Sequence, residues 1–293
     1  MAESRASAPK TVVALALATA ALSVMGAGLP PTPAEAKLSF RKSRSAELAP
    51  RTDGSTRAKC SSGASRHLVS GGFASDSPVQ GEATSTIAAF ASEPAGKRAW
   101  SLRAGNFLGA PETVTASVLC SKQNPEVRVR SKRAAVGAGA ESKLTVKCGK
   151  REEAIAGGFS APGSKQGGGP EVIAVESRRK GKRKWRVIAY NNSADVDGKL
   201  KAYARCAARR PRLRTVKIEG VAVDQAPVEL RPRCEKGEEL WSGGFIAGFE
   251  SFEPFAAIIA DRSYADGREW VSRFVGYQAG GPVKALAYCR PKS

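Results

Sequence analysis

One pattern of residues occurs three times in this chain at nearly constant spacing, and that repetition constrains the fold more than any other feature. In each copy a cysteine is followed by Gly-Gly-Phe, then a tryptophan, then a second cysteine. The Gly-Gly-Phe steps occupy residues 71–73, 157–159 and 243–245. The tryptophans, Trp100, Trp185 and Trp270, follow those phenylalanines by 27, 26 and 25 residues. The chain is therefore predicted to contain three tandem copies of one unit.

Boundaries between the copies are predicted near Pro125 and Pro211. They define repeat 1 (residues 37–124), repeat 2 (residues 125–210) and repeat 3 (residues 211–293). No long low-complexity linker separates the repeats, which favours packed neighbours over units on a flexible string.

Each repeat is predicted to be β-structure. Apolar residues alternate with other residues before the second cysteine, as in Val114, Ala116 and Val118 before Cys120. This period of two is typical of a half-buried strand, and other short runs raise the expected number to five or six strands per repeat. The predicted fold class is all-β, either as packed tandem sandwiches or as a pseudo-threefold β-prism.

The six cysteines stand at matched places, two in each repeat, and are predicted to form three disulfides. A zinc site is excluded because no two cysteines are close in sequence and His67 is the only histidine. Two pairings respect the repeat symmetry. The pairing within repeats joins Cys60–Cys120, Cys148–Cys206 and Cys234–Cys289. The pairing between neighbours joins Cys120–Cys148, Cys206–Cys234 and Cys60–Cys289. The first is favoured because it serves a single unit as well as a fused one.

The N-terminus is predicted to be a signal peptide over residues 1–36, so the protein is expected to be secreted. Arg5 and Lys10 precede an apolar stretch at 11–29, prolines follow, and residues 34–36 (Ala-Glu-Ala) resemble a cleavage site. The alternative is a retained anchor, since about 19 apolar residues just span a bilayer. No cysteine precedes Cys60, which excludes a lipid-modified N-terminal cysteine, and no transmembrane span is expected in the mature chain.

The sequence contains no recognisable convergent set of catalytic residues. His67 has no accompanying G-x-S-x-G motif, and the adjacent glutamates at 152–153 and 238–239 are expected to form solvated edges. The glycine-rich turn at 167–170 lacks the strand-loop-helix context of a phosphate-binding loop. The chain is therefore predicted to be no enzyme, with no catalytic residue, metal or cofactor.

Charge is distributed unevenly over a chain of net charge +20. Residues 38–124 hold eleven Lys and Arg against six Asp and Glu, repeat 2 holds 21 against eight, and repeat 3 holds twelve against eleven. The densest basic run is predicted to lie on a hairpin loop that leads into the Trp185 strand: Arg178, Arg179, Lys180, Lys182, Arg183, Lys184 and Arg186. Such a run binds phosphates, sulfates or uronates through contacts that weaken with salt. The alternative is a solvated hairpin that only aids solubility.

The three tryptophans have two interpretations. Each is expected to begin a strand, where a tryptophan anchors the core. The alternative is an exposed stacking platform for a sugar or a nucleobase, one in each repeat.

With the order Cys, Gly-Gly-Phe, Trp, Cys established, the chain resembles secreted proteins of high-GC Gram-positive bacteria that carry the same tandem repeats. That resemblance implies export but no particular activity. More distantly, the threefold repetition of cysteine-flanked β units with a Gly-Phe step is similar to the β-prism of vitelline membrane outer layer protein. The repeats here are much longer, so no binding residue is carried over.

The function predicted from these features is a secreted, non-enzymatic binding module. Its expected partner is an anionic polymer of the cell envelope or extracellular matrix, bound through the basic surface of repeat 2. One alternative is a structural or protein-interaction role at the cell surface in which the charge is incidental. A lectin, a glycan-active enzyme and non-specific binding of nucleic acid are further possibilities, and the sequence leaves the oligomeric state open.

Overall fold

The computed structural model of the protein describes residues 38–61, 67–76, 87–107, 110–122, 124–162, 171–208, 211–248, 257–277 and 280–291. Over these ranges the chain forms eighteen β-strands and no helix, so the all-β prediction is confirmed. In particular, no helix of the described ranges has the length and apolarity that a membrane span requires. The predicted signal peptide (1–36) and the glycine-rich turn at 167–170 lie outside the described residues.

Each repeat contributes six strands in the same order. Repeat 1 forms β1 (Leu38–Leu48), β2 (Asp53–Lys59), β3 (His67–Ser75), β4 (Ile87–Pro94), β5 (Ala99–Asn106) and β6 (Glu112–Ser121). Repeat 2 forms β7 (Val127–Val136), β8 (Glu141–Lys147), β9 (Glu153–Ser160), β10 (Val172–Arg179), β11 (Lys184–Asn191) and β12 (Gly198–Ala207). Repeat 3 forms β13 (Arg214–Ala222), β14 (Val228–Leu230), β15 (Glu238–Ala247), β16 (Ala257–Asp266), β17 (Glu269–Tyr277) and β18 (Gly281–Pro291).

The strands of one repeat divide between two sheets. The first, sixth and third strands form one half-sheet, while the second, fifth and fourth form another, and the two halves pack face to face as a small sandwich. Each half-sheet continues, edge to edge, into a half-sheet of a neighbouring repeat. The three six-stranded sheets are the 1/2 sheet (β2-β5-β4-β9-β12-β7), the 2/3 sheet (β13-β18-β15-β10-β11-β8) and the 3/1 sheet (β1-β6-β3-β16-β17-β14). The fold therefore combines both predicted architectures, because three sandwiches close into a pseudo-threefold ring.

The Gly-Gly-Phe step lies where two repeats join. Each joint is a short antiparallel pairing of two residue pairs, for example Phe159 opposite Ser92 between β9 and β4. The first glycine faces the tryptophan of its own repeat, since a Cβ on Gly71 would lie 2.1 Å from Trp100. The second faces the neighbouring repeat, since a Cβ on Gly158 would lie 2.0 Å from the Ser92 carbonyl oxygen. No other residue has room at either place, which explains why the pair recurs.

The phenylalanines of this step meet at the centre of the molecule. Phe73, Phe159 and Phe245 contact one another edge to face, with ring centroids 6.2 to 6.3 Å apart. This arrangement is favourable for aromatic rings and ties the three repeats to one core.

The three tryptophans are buried in the sandwiches. Trp100, Trp185 and Trp270 are 1%, 1% and 3% exposed. Each indole Nε1 donates to a serine at a sheet joint, as Trp100 does to Ser92 Oγ at 2.8 Å. The rings therefore anchor the core, as a buried indole with a satisfied N–H does, and offer no exposed stacking surface.

Three disulfides join the cysteines within repeats: Cys60–Cys120, Cys148–Cys206 and Cys234–Cys289. Their Cα–Cα distances are 5.9, 5.5 and 5.6 Å, which suits an unstrained bridge. In each repeat the first cysteine follows the second strand and the other lies in the sixth. Each bridge thus links the two half-sheets of one sandwich.

A β-bulge interrupts the pairing of the third strand with the sixth in every repeat, at Val69, Ile155 and Trp241. A neighbouring repeat donates a hydrogen bond to each bulge carbonyl. Ser70 Oγ donates to the Trp241 carbonyl at 2.8 Å, and Ser242 Oγ donates to the Ile155 carbonyl.

Repeat 2 completes this ring of hydrogen bonds differently. Ala156 stands where the other repeats have those serines, so it has no hydroxyl to donate. Arg205 replaces it, with Nε 3.1 Å from the Val69 carbonyl oxygen. The Arg205 side chain is 2% exposed, and burial lowers its pKa to about 10. In all three copies the bulge carbonyl therefore accepts a hydrogen bond from a neighbouring repeat, but the donor is a serine in two cases and an arginine in the third.

Candidate anion-binding surface

The seven predicted anion-binding cations lie on the hairpin formed by β10 and β11 and on the turn between these strands. Gly181 in the turn has a φ of +70°, which favours glycine. The hairpin leads directly into the Trp185 strand, so the turn is held by a buried anchor. The seven cations nevertheless differ in what they contact.

Arg178 and Arg186 contact the carboxylate of Glu176. Arg178 Nε lies 2.9 Å from Glu176 Oε1, and an Nη of Arg186 lies 2.7 Å from Oε2. The hydrogen bond with Glu176 raises the pKa of Arg186. Both guanidinium groups therefore have a carboxylate partner before any ligand binds.

Arg179 faces the protein interior. It is 7% exposed, forms an ion pair with Glu153 and donates to the Leu213 carbonyl at 3.0 Å. Its own backbone N–H donates to the Tyr288 hydroxyl at 2.8 Å. Because these partners belong to repeats 2 and 3, Arg179 joins the two repeats and is not an accessible contact for an anion.

Four cations remain at the tip of the hairpin: Lys180, Lys182, Arg183 and Lys184. Arg183 is half-buried and the three lysines are exposed, and none of the four forms an ion pair within the described ranges. Backbone hydrogen bonds hold the tip, from Cys148 to the Arg183 carbonyl at 2.8 Å and from Ala154 to the Lys182 carbonyl at 2.9 Å. These four residues are hereafter called the hairpin tip.

A second basic site lies in a groove on the 1/2 sheet, with a cavity volume of about 630 Å³. Arg103 comes from β5 of repeat 1, Arg133 from β7, and Lys199 and Lys201 from β12. Sequence reasoning missed this site because its cations come from three strands in two repeats. The only local signal is the spacing of two between Lys199 and Lys201, which places both on one face of a strand.

Acidic groups near this groove already have partners. Burial, and then a hydrogen bond with Glu93, raise the pKa of Tyr203. Ser160 Oγ also donates to Glu93 at 3.3 Å. Burial raises the pKa of Asp53, and the positive charge of Arg103 partly opposes that shift.

The paired glutamates differ from the prediction of solvated edges. Glu152 and Glu153 are 8% and 3% exposed, and they form ion pairs with Arg130 and Arg179. Glu238 binds Arg214, with 2.6 Å between Nη2 and Oε2. Sequence alternation could not reveal these contacts, because each arginine comes from a distant strand.

His67 begins β3 and lines a cleft of about 800 Å³ between repeats 1 and 2, together with Lys97 and Arg128. Glu152 and Glu238 lie within 4.8 Å of two cysteine sulfurs each. Those sulfurs are in disulfides, so they are not the thiolates that bind metals.

No protein-family model matches this chain, and no curated protein matches it either.

Proposed function

We propose that this protein is a secreted, non-enzymatic binding module for an anionic polymer of the cell envelope or extracellular matrix. The hairpin tip of repeat 2 is the proposed contact surface. The observation that carries the proposal is the set of four neighbouring cations there, which have no ion-pair partner among the described residues.

The chemistry of the tip suits a ligand with repeated anionic groups. Lysine and arginine form charge-assisted hydrogen bonds with phosphate, sulfate and carboxylate. A polymer engages several cations at once, so its affinity exceeds that of one contact and weakens with salt. Because the backbone of the tip is held by the Cys148 segment, little ordering is needed on binding.

The other two repeats support the choice of repeat 2. The equivalent turn of repeat 1 carries only Lys97 and Arg98, and in repeat 3 Arg268 stands between Asp266 and Glu269. The hairpin of repeat 2 is therefore the most basic of three equivalent turns. Three disulfides agree with an oxidising compartment, which is where such a polymer would be met.

A second candidate function is protein interaction, favoured by exposed apolar residues at one edge of the 2/3 sheet. Val221 is 65% exposed near the end of the edge strand β13, and Val223 just beyond it is 57% exposed. A protein partner at this edge would bind through apolar contacts, so its retention would resist salt, unlike that of an anionic polymer.

The test compares retention on purified cell walls and on a heparin matrix. The triple variant Lys180→Gln, Lys182→Gln, Lys184→Gln should bind on the order of a hundredfold more weakly, since each basic residue near an anionic surface contributes about 1 kcal/mol. The matched control is Lys97→Gln, Lys143→Gln, Lys236→Gln, which removes three exposed lysines spread over the three repeats. Equal losses in both variants, or no loss in either, would contradict a role for the hairpin tip.

A further inference from the structure

Three equivalent pairs of residues differ in a way that singles out repeat 2. Each pair consists of the residue five positions before the second cysteine and its partner on the neighbouring edge strand. In repeat 1 the pair is Thr115 and Ser45, whose hydroxyl oxygens lie 2.8 Å apart. In repeat 3 it is Lys284 and Glu219, an ion pair at 3.1 Å.

In repeat 2 the same two positions hold Lys201 and Arg133. Like charges directly opposite each other on neighbouring strands destabilise a sheet. Neither side chain has an ion pair among the residues described, whereas Glu219 has two, because Lys217 and then Lys284 bind it and lower its pKa. The same position therefore holds two hydroxyl groups in repeat 1, two opposite charges in repeat 3 and two like charges in repeat 2.

Arg103 shows a second departure from the symmetry. It stands three residues after Trp100, as Arg273 stands three residues after Trp270. Arg273 Nε donates to the buried carboxylate of Asp261 at 3.0 Å, and Asp261 occupies a bulge in β16. The equivalent bulge in β4 holds Phe90, which cannot accept such a bond. Arg103 Nε is buried with no hydrogen-bond partner among the described residues.

The sheet register brings these cations to one row. Arg133 lies opposite Lys201, Lys201 opposite Ser160, Ser160 opposite Ala91, and Ala91 opposite Arg103. Neighbouring strands are about 4.8 Å apart, so Lys201 and Arg103 are separated by about 14 Å of sheet. Only Ser160 and Ala91 stand between them in this row, and Ser160 lines the groove described above.

We propose that this groove binds a compact ligand that carries at least two phosphate, sulfate or carboxylate groups. Arg133, Lys199 and Lys201 hold one anionic group and Arg103 holds another, while Ala161 and Pro162 supply apolar contact for the body of the ligand. The volume of about 630 Å³ falls within the range of about 300 to 1,000 Å³ that is usual for small-molecule sites. A bound anion would reduce the repulsion between Arg133 and Lys201, and another would accept a hydrogen bond from Arg103 Nε.

This inference goes beyond polymer binding by the hairpin tip, because it uses other residues and needs only a short ligand. Both proposals depend on attraction between basic side chains and an anionic ligand, but each is tested by substitutions at different residues. Loss of one function without the other is therefore measurable.

The experiment is calorimetric titration of the full chain with two probes, tripolyphosphate and a sulfated heparin tetrasaccharide. We expect at least one probe to bind. Affinity should fall by about tenfold or more in Arg133→Glu and in the double variant Lys199→Gln, Lys201→Gln. Binding of the tetrasaccharide alone would identify an acidic sugar, and binding of tripolyphosphate alone would identify a polyphosphorylated ligand.

The matched control is Lys284→Gln, which changes the equivalent position of repeat 3 and should leave both affinities unchanged. Thermal unfolding shows whether each variant is folded, and Arg133→Glu should unfold no earlier than the wild type. The groove proposal is overturned if neither probe binds, or if the groove variants bind as the wild type does. Probe binding lost in the hairpin-tip triple variant but kept in the groove variants would overturn it too, while leaving the hairpin proposal intact.

Discussion

Repeats 2 and 3 have the same scaffold but differ in charge. Both contain six strands in the same order, a disulfide between half-sheets and a buried tryptophan bonded to a serine. Repeat 3 balances twelve basic residues with eleven acidic ones, and repeat 2 sets 21 against only eight. Features that the copies share therefore serve folding, and features that only repeat 2 has are the candidates for function.

The contrast also appears in how the two repeats use their arginines. In repeat 3, Arg231 alone contacts Glu229, Asp266 and Glu269, with nitrogen to oxygen distances of 2.7 to 3.3 Å. In repeat 2 the hairpin tip and the groove residues Arg133, Lys199 and Lys201 form no ion pair among the residues that the structure describes. These cations are the ones proposed above as contacts for anionic ligands.

The largest expected effect tests the shared scaffold. Replacing Cys148 and Cys206 with serine should lower the free energy of unfolding by about 4 kcal/mol in the chain-entropy model. Replacing Cys234 and Cys289 should cost nearly the same, because the sequence separations are 58 and 55 residues. Denaturant unfolding of both double variants measures the two losses in free energy of unfolding. Costs that differ by more than about 2 kcal/mol would break the equivalence of the two repeats.

A smaller effect tests the ring of hydrogen bonds at the bulges. Arg205→Leu copies the residue at the equivalent position of repeat 1, Leu119, but leaves the buried Val69 carbonyl without its side-chain donor. We expect a loss of about 1 to 3 kcal/mol in the free energy of unfolding.

Adding Ala156→Ser to that variant supplies the hydroxyl that the other repeats use at this place. The double variant should recover much of the stability, as measured by the same denaturant unfolding. If Ala156→Ser gives no recovery, Arg205 stabilises the fold in another way and the three repeats are less alike than their register suggests.

The smallest effect addresses the surface difference directly. Arg133→Glu gives repeat 2 the pair that repeat 3 has at Glu219 and Lys284. An opposite-charge pair across two strands contributes about 0.2 to 1 kcal/mol, so this variant should be slightly more stable than the wild type. Its midpoint of unfolding at low and high salt measures the gain, which salt should reduce. A loss of stability at low salt would show that Arg133 and Lys201 do not repel each other.

Much of the fold could be predicted from local spacing. The alternation before Cys120 identified β6, and its counterparts identified β12 and β18. The sequence showed that the Gly-Gly-Phe step recurs, but not why. The structure supplies the reason, a tryptophan against the first glycine and a neighbouring carbonyl against the second. Of the predicted basic run, four residues lie at the hairpin tip. Arg178 and Arg186 contact Glu176 of the same hairpin, and only the partner of Arg179, Glu153, comes from another strand pair.

The sequence by itself determined the number of repeats, their β character and the matched placement of the cysteines, because strand period and repeat spacing are properties of short segments. Only the tertiary structure decided that each sheet is shared by two repeats, that Arg179 joins repeats 2 and 3, and that Arg103 shares a groove with Lys201. Those relations connect strands far apart in the chain, and they depend on packing of side chains that no local pattern encodes.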